Sequence, residues 1–315
     1  MKRSHKLLAA GALLGSVAAV SYAVTDSFMS YALDREVPAG LEKLLSRKAA
    51  PPAMTEMRTQ AEEASARLEN TTHEIVEIMS HDGLKLRGHW FSVPNTRRIV
   101  IAMHGWRSHW HWDFAMIADF LFREGCSVLF VEQRSQGESE GEYMGFGMLE
   151  RYDCRSWCEW VEEQFGNSLP VYLCGVSMGA STVLMASGFV LPKCVKGIVA
   201  DCGYTSADAI WRHVARQNGL RAVGSDLICR RKIKVGSLDC SCPEVLRSCR
   251  LPVLFVHGTD DRLVPVEMTY ENYQACASEK RLLIVPGAGH GWSYCVNREG
   301  YEAELRRFWE DHDGR

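Results

Sequence analysis

Six short apolar runs, Arg98–Met103, Ser127–Val131, Pro170–Cys174, Gly197–Ala200, Pro252–Val256 and Arg281–Val285, recur along the chain. Their polarity does not alternate, so each must be covered on both faces, as the strands of a parallel sheet are. Amphipathic stretches separate them, among them Leu149–Gln164 and Glu267–Cys276, and Tyr301–His312 closes the chain. Parallel neighbours can only be joined by crossovers of a dozen or more residues. The pattern therefore predicts an α/β fold: a mostly parallel sheet with helices on both faces. Two β-like runs, His73–Met79 and Leu84–Phe91, flank the turn signal His81-Asp82-Gly83 and predict a hairpin ahead of that sheet. One interval between strands, Ser206 to Leu251, is too long for a simple crossover. It is read as a helix with a lid insertion over about residues 206–248.

The first residues follow a different rule. Lys2, Arg3 and Lys6 precede an uncharged run, Leu7 to Val24, long enough for a hydrocarbon core of about 30 Å. Residues 1–24 are expected to be a membrane anchor. The positive flank would stay in the cytoplasm, with the rest of the chain on the other side. Ser21-Tyr22-Ala23 leaves open a cleaved signal peptide and a secreted protein. Residues 25–70 read as a helical linker interrupted by Pro51-Pro52, and residues 71–315 as the folded domain.

A net charge of −3, with no long basic run, gives no electrostatic case for nucleic acid as a partner. The chain has twelve cysteines, several in apolar settings such as Cys126, Cys174 and Cys202, where they read as small buried hydrophobes. Cys229, Cys240, Cys242 and Cys249 are close together but lack the usual zinc spacing. His109, His111 and Asp113 offer another ligand-like set on one loop. A metallohydrolase would want a further histidine after Asp113, where Phe114 stands. No metal and no cofactor is expected.

Chemistry in an open α/β sheet collects at the carboxyl ends of strands. Three of the runs end in suitable groups. Pro170–Cys174 leads into Gly175-Val176-Ser177-Met178-Gly179 and a helix, the G-x-S-x-G elbow whose glycines permit a sharp turn with Ser177 at its apex. A serine hydroxyl needs a base, and the base an orienting acid. Asp261 follows the run ending at Val256, and His290 the run ending at Val285. Asp201 is the rival acid, while Asp260 reads as a turn residue. His104-Gly105-Trp106 ends the first run, where the backbone N–H of Trp106 would join that of Met178 as a pair of oxyanion donors. Trp106, Trp110 and Trp112 are candidate pocket walls, with core packing an alternative for the latter two.

These residues resemble a bacterial α/β-hydrolase family related to the serine aminopeptidase-like (S33-type) hydrolases, over roughly Thr72 to the C-terminus. Glu132-Gln133-Arg134-Ser135-Gln136-Gly137-Glu138-Ser139 is similar to the family's D-x-R-x-x-G-x-S, with Glu132 in place of the aspartate. Asp201-Cys202-Gly203-Tyr204-Thr205 matches as well, and His290-Gly291-Trp292-Ser293-Tyr294 is similar to a branch with an N-terminal membrane helix. The resemblance implies the α/β-hydrolase fold and a Ser177, Asp261, His290 triad acting on a small ester or acyl substrate. It leaves open an ester, a thioester or a peptide as substrate, and a silent membrane-tethered binding module.

Overall fold

In a computed structural model, residues 21–37 and 55–314 are described. Eight strands form one sheet: β1 (Glu74–Met79), β2 (Lys85–Phe91), β3 (Arg98–Met103), β4 (Cys126–Val131), β5 (Val171–Val176), β6 (Val195–Asp201), β7 (Val253–Gly258) and β8 (Lys280–Val285). Their order is β1-β2-β4-β3-β5-β6-β7-β8. β1 and β2 form the antiparallel hairpin, and β2 pairs antiparallel with β4. All other pairings are parallel.

β3, β4 and β7 are buried at every position, which is why their sequences show no alternation. Helices cover both faces. One face packs Trp157, Leu184 and Phe255 into its core, and the other packs Phe120, Phe308 and Trp309. The helix after β5, Met178–Ala186, is buried along its whole length, so the serine elbow stands on an immobile base.

Residues 7–20 of the expected anchor lie outside the described residues, and no described helix is long and apolar enough to cross a membrane. The described parts of the expected linker are packed rather than free. A helix over residues 21–33 buries Met29, Ala32 and Leu33 against the domain. Asp34 forms an isolated bridge with Tyr143, and Arg35 donates to the Ser139 and Gly137 carbonyls. The helix Thr55–Asn70 buries Ala61, Ala64 and Leu68. Both helices carry a narrow apolar stripe, enough to dock. The interval read as a lid holds three helices, Ala207–Gln217, Ser225–Ile233 and Cys242–Leu246.

All twelve cysteines carry free thiols, eleven of them buried. Cys229, Cys240, Cys242 and Cys249 are not drawn together: Cys240 accepts from Arg151, Cys242 faces the Ser181 carbonyl and Cys249 that of Leu251.

Candidate active site

Ser177 lies between β5 and its helix with φ 55° and ψ −116°, a conformation that costs a non-glycine residue on the order of 1–3 kcal/mol. The two flanking glycines make the turn possible. A Cβ on Gly179 would overlap the Met103 carbonyl oxygen of β3, and one on Gly175 would overlap the Gly179 backbone. The strained serine is thereby lifted to the rim of the sheet.

His290, on the loop after β8, places Nε2 2.8 Å from the Ser177 hydroxyl. Its Nδ1 lies 2.6 Å from Asp261 Oδ2, on the loop after β7. The other oxygen of Asp261 accepts the backbone N–H groups of Leu263 and Val264, each at 2.9 Å. His257 adds a contact at 3.1 Å. Burial would raise the Asp261 pKa, but the hydrogen bonds from His257 and His290 and the nearby positive charge outweigh it. The carboxyl is held well below the ordinary range, so it stays an anion facing an imidazole. Asp260 is exposed and accepts from Thr259.

Asp201, the rival acid, is buried beneath the site and accepts from Ser293 at 3.1 Å. Burial pushes its pKa up. Cys202, the next residue, brings its thiol against Asp261 and His290, with the ligand atoms of the three within 4.8 Å of one another. Nothing in the sequence marked it apart from the other buried cysteines.

Met178 is the first residue of its helix, so its N–H has no intrahelical acceptor and is directed out of the N-terminus beside Ser177. On the facing loop, Asp113 accepts the Gly105 N–H and the Ser108 hydroxyl, both at 2.6 Å. It thus anchors the turn carrying Trp106, and it does not meet His109 and His111 in a ligand set. His111 instead contacts Ser65 at 2.8 Å. His104 is a buried brace: the Gln133 N–H donates to Nε2, leaving Nδ1–H for the Gly105 carbonyl. Burial lowers its pKa and favours that neutral form. Glu132 accepts from His89 at 2.8 Å and from the Glu138 N–H. Arg134 is buried between Asp153 and Asp82.

Ser177 and His290 open onto a cavity of about 420 Å³, with Asp261 buried behind them. Its walls come from both faces of the sheet: Met116, Leu121 and Leu305 on one side, Phe146, Trp211 and Val214 on the other. Trp106 and Trp112 line it, whereas Trp110 is buried against His89, their rings 4.2 Å apart. Phe28, Tyr31 and Ala32 of the N-terminal helix are also part of the wall, and the Trp106 indole donates to the Ala32 carbonyl at 2.8 Å. No local pattern marks this contact, because the helix is separated from Trp106 by some seventy residues.

Sheet order, elbow and the placement of the three residues define the α/β-hydrolase fold. A family model described as "Serine aminopeptidase, S33" matches residues 94–233, a span that includes Ser177 but ends before Asp261 and His290. Among curated proteins, the chain is 24% identical over 237 residues to the uncharacterized protein YqkD of Bacillus subtilis, covering 73% of this chain and 77% of that protein. Among solved structures it is similar to the Pyrococcus furiosus esterase Pf2001, with a TM-score of 0.64 and 23% identity over 78% of this chain and 95% of that one. It is also similar to Est1E from Butyrivibrio proteoclasticus, solved with ferulic acid bound, with a TM-score of 0.62 and 17% identity over 76% and 100% of the two chains.

Proposed function

We propose that the protein is a serine hydrolase that cleaves carboxylic esters with an uncharged acyl group. The observation that carries the reading is the unbroken hydrogen-bonded line from Asp261 through His290 to a strained Ser177 at the mouth of an apolar cavity. His290 takes the Ser177 proton as the hydroxyl oxygen attacks the ester carbonyl. Asp261 holds the imidazole in the Nδ1–H tautomer and stabilises the cation that forms. The tetrahedral oxyanion is held by the N–H groups of Trp106 and Met178. Collapse expels the alcohol, which takes the proton from His290. Water activated by the same histidine then releases the acid and restores Ser177.

The cavity wall favours an ester over an aminoacyl peptide. An amine-binding subsite needs an available carboxylate, and the described carboxylates lining the cavity are Asp113 and Asp201. Asp113 uses both oxygens on Gly105 and Ser108. Asp201 is buried and pushed toward its neutral form. The membrane reading of Leu7 to Val24 stands beside this as a proposal about location.

A fluorophosphonate probe and a panel of p-nitrophenyl esters, acyl thioesters and aminoacyl amides test the reading. Labelling at Ser177, ester turnover above the other two classes and insensitivity to EDTA are expected. Failure to label, a preference for the amides, or chelator-sensitive turnover that zinc restores would overturn it.

A further inference from the structure

Exposed aliphatic side chains are not scattered evenly over this molecule. Eleven large hydrophobic residues are exposed among those described, and five of them, Val24, Leu220, Val223, Leu227 and Leu238, belong to one region where the lid meets the N-terminal helix. Hydrogen bonds fix that neighbourhood. The Thr25 hydroxyl reaches the Arg221 carbonyl at 3.2 Å, and Arg231 reaches the Tyr22 hydroxyl at 3.5 Å and also Asp26. The Leu238 N–H donates to Asp226 at 3.3 Å, which sets Leu238 beside the first turn of the helix Ser225–Ile233. Single exposed aliphatics need no explanation, but a group of them on one face calls for a partner.

Charge and chain connection say which partner. Residues 216–240 contain six basic side chains, Arg216, Arg221, Arg230, Arg231, Lys232 and Lys234, against two acidic ones, Asp226 and Asp239. That is a surplus of four positive charges in a chain whose net charge is −3. Asp26 of the facing helix and Asp34 just past its end offset Arg231 and Lys232, while Arg216, Arg221 and Lys234 stay at the surface. Aliphatic side chains among long basic ones are the composition that seats a surface in the headgroup region of an anionic bilayer. The uncharged run from Leu7 ends at Val24, itself one of the five. The helix that carries Val24 goes on to supply Phe28, Tyr31 and Ala32 to the cavity wall, and Gln217 at the end of the first lid helix bonds the Arg262 carbonyl next to the cavity-lining, exposed Leu263.

We propose that the outer face of the lid, with Val24 of the N-terminal helix, is a docking surface for an anionic lipid bilayer, and that it sets the cavity beside the lipid. Docking stands apart from the hydrolase reading; the corollary that the ester substrate enters from the lipid rests on it. Lysine and arginine stems lie along the apolar side chains and keep their charges among the headgroups.

The test uses the full-length chain with a cysteine at Leu227→Cys or, as control, at Val190→Cys, each labelled with an environment-sensitive fluorophore. Val190 is 96% exposed and precedes β6, at the opposite end of the parallel strands. The native thiols are buried or half-buried, and wild-type protein carried through the labelling sets the background. Vesicles of phosphatidylcholine with phosphatidylglycerol should shift the emission of the position-227 label to the blue and leave the position-190 label unchanged. Phosphatidylcholine alone, or high salt, should shrink the shift at 227. An unchanged label at 227, or equal shifts at both positions, would overturn the proposal. A shift at 227 without vesicles, accompanied by a doubled solution mass, would assign the face to a second copy of the chain instead. The emission does not depend on turnover, so failure of docking and failure of the hydrolase reading are seen separately.

Discussion

The pairs His290–Asp261 and His89–Glu132 share a similar close contact and differ in what lies beyond the imidazole. His290 meets Asp261 at 2.6 Å and His89 meets Glu132 at 2.8 Å. The far nitrogen of His290 faces the hydroxyl of a strained serine at the edge of a cavity. The far nitrogen of His89 faces His73 at 2.8 Å, with Trp110 stacked over its ring. A buried histidine–carboxylate pair is thus an ordinary packing solution. What distinguishes the site is the group on the other side of the imidazole and the space in front of it.

The comparison breaks most sharply if the acid partners are exchanged in importance. Ser177→Ala should abolish ester turnover. Asp261→Asn should keep the fold and lower kcat on the order of 10⁴-fold, because the amide favours the wrong imidazole tautomer. Steady-state kinetics with circular dichroism on both variants checks this, and a mild effect at Asp261 would dissolve the distinction. Asp113→Ala should come next. Without its carboxylate the Gly105–Ser108 turn loses two anchors, and a small displacement of the Trp106 N–H should cost on the order of 10²-fold in kcat with KM little changed. A raised KM with kcat unchanged would mark a binding role instead.

Glu132→Gln should act on stability rather than chemistry. Weakening a buried, charge-assisted hydrogen bond costs about 1.5–3 kcal/mol, read from urea unfolding, with turnover changed less than about tenfold. The same pair sets a pH signature. The Glu132 carboxyl is lowered below its ordinary range: burial would raise it, but the His89 hydrogen bond and the Glu138 N–H prevail. A carboxyl depressed in the folded state contributes stability that is present above the unfolded pKa, about 4, and lost as pH falls through the folded value. Wild-type stability should therefore decline below about pH 4, and less steeply in Glu132→Gln and Asp261→Asn. The smallest effect is expected at the rival acid. Burial raises the Asp201 pKa and so penalises its charged form, and Asp201→Asn, which keeps the shape and drops that charge, should be neutral or slightly stabilising with turnover nearly intact. A large loss of kcat there would transfer the orienting role from Asp261 to Asp201.

Much of this architecture could be read in the residues. Arg98–Met103 is the strand its apolar run predicts, and the other five runs differ from their strands by one or two residues at an end. The elbow and the two loops carrying Asp261 and His290 follow from that reading, since each motif lies just past a strand. What the sequence withheld depends on long-range packing. The order that puts β4 between β2 and β3 leaves no local mark. Asp113 looked like a ligand beside two histidines, yet its oxygens turn to Gly105 and Ser108, a choice set by the turn and not by spacing. The helix Thr55–Asn70 resembled a tether because only Ala61, Ala64, Ser65 and Leu68 provide its docking face.

The helix over residues 21–33 also has a mechanical meaning. Its Ala32 carbonyl holds the Trp106 indole, while the Tyr31 and Asp34 carbonyls hold the Arg107 guanidinium. A pull on the chain at residue 21 therefore travels along a rigid rod to the loop proposed to hold the oxyanion. A shortened chain starting beyond residue 37 would lose part of the cavity wall and the brace on that loop together.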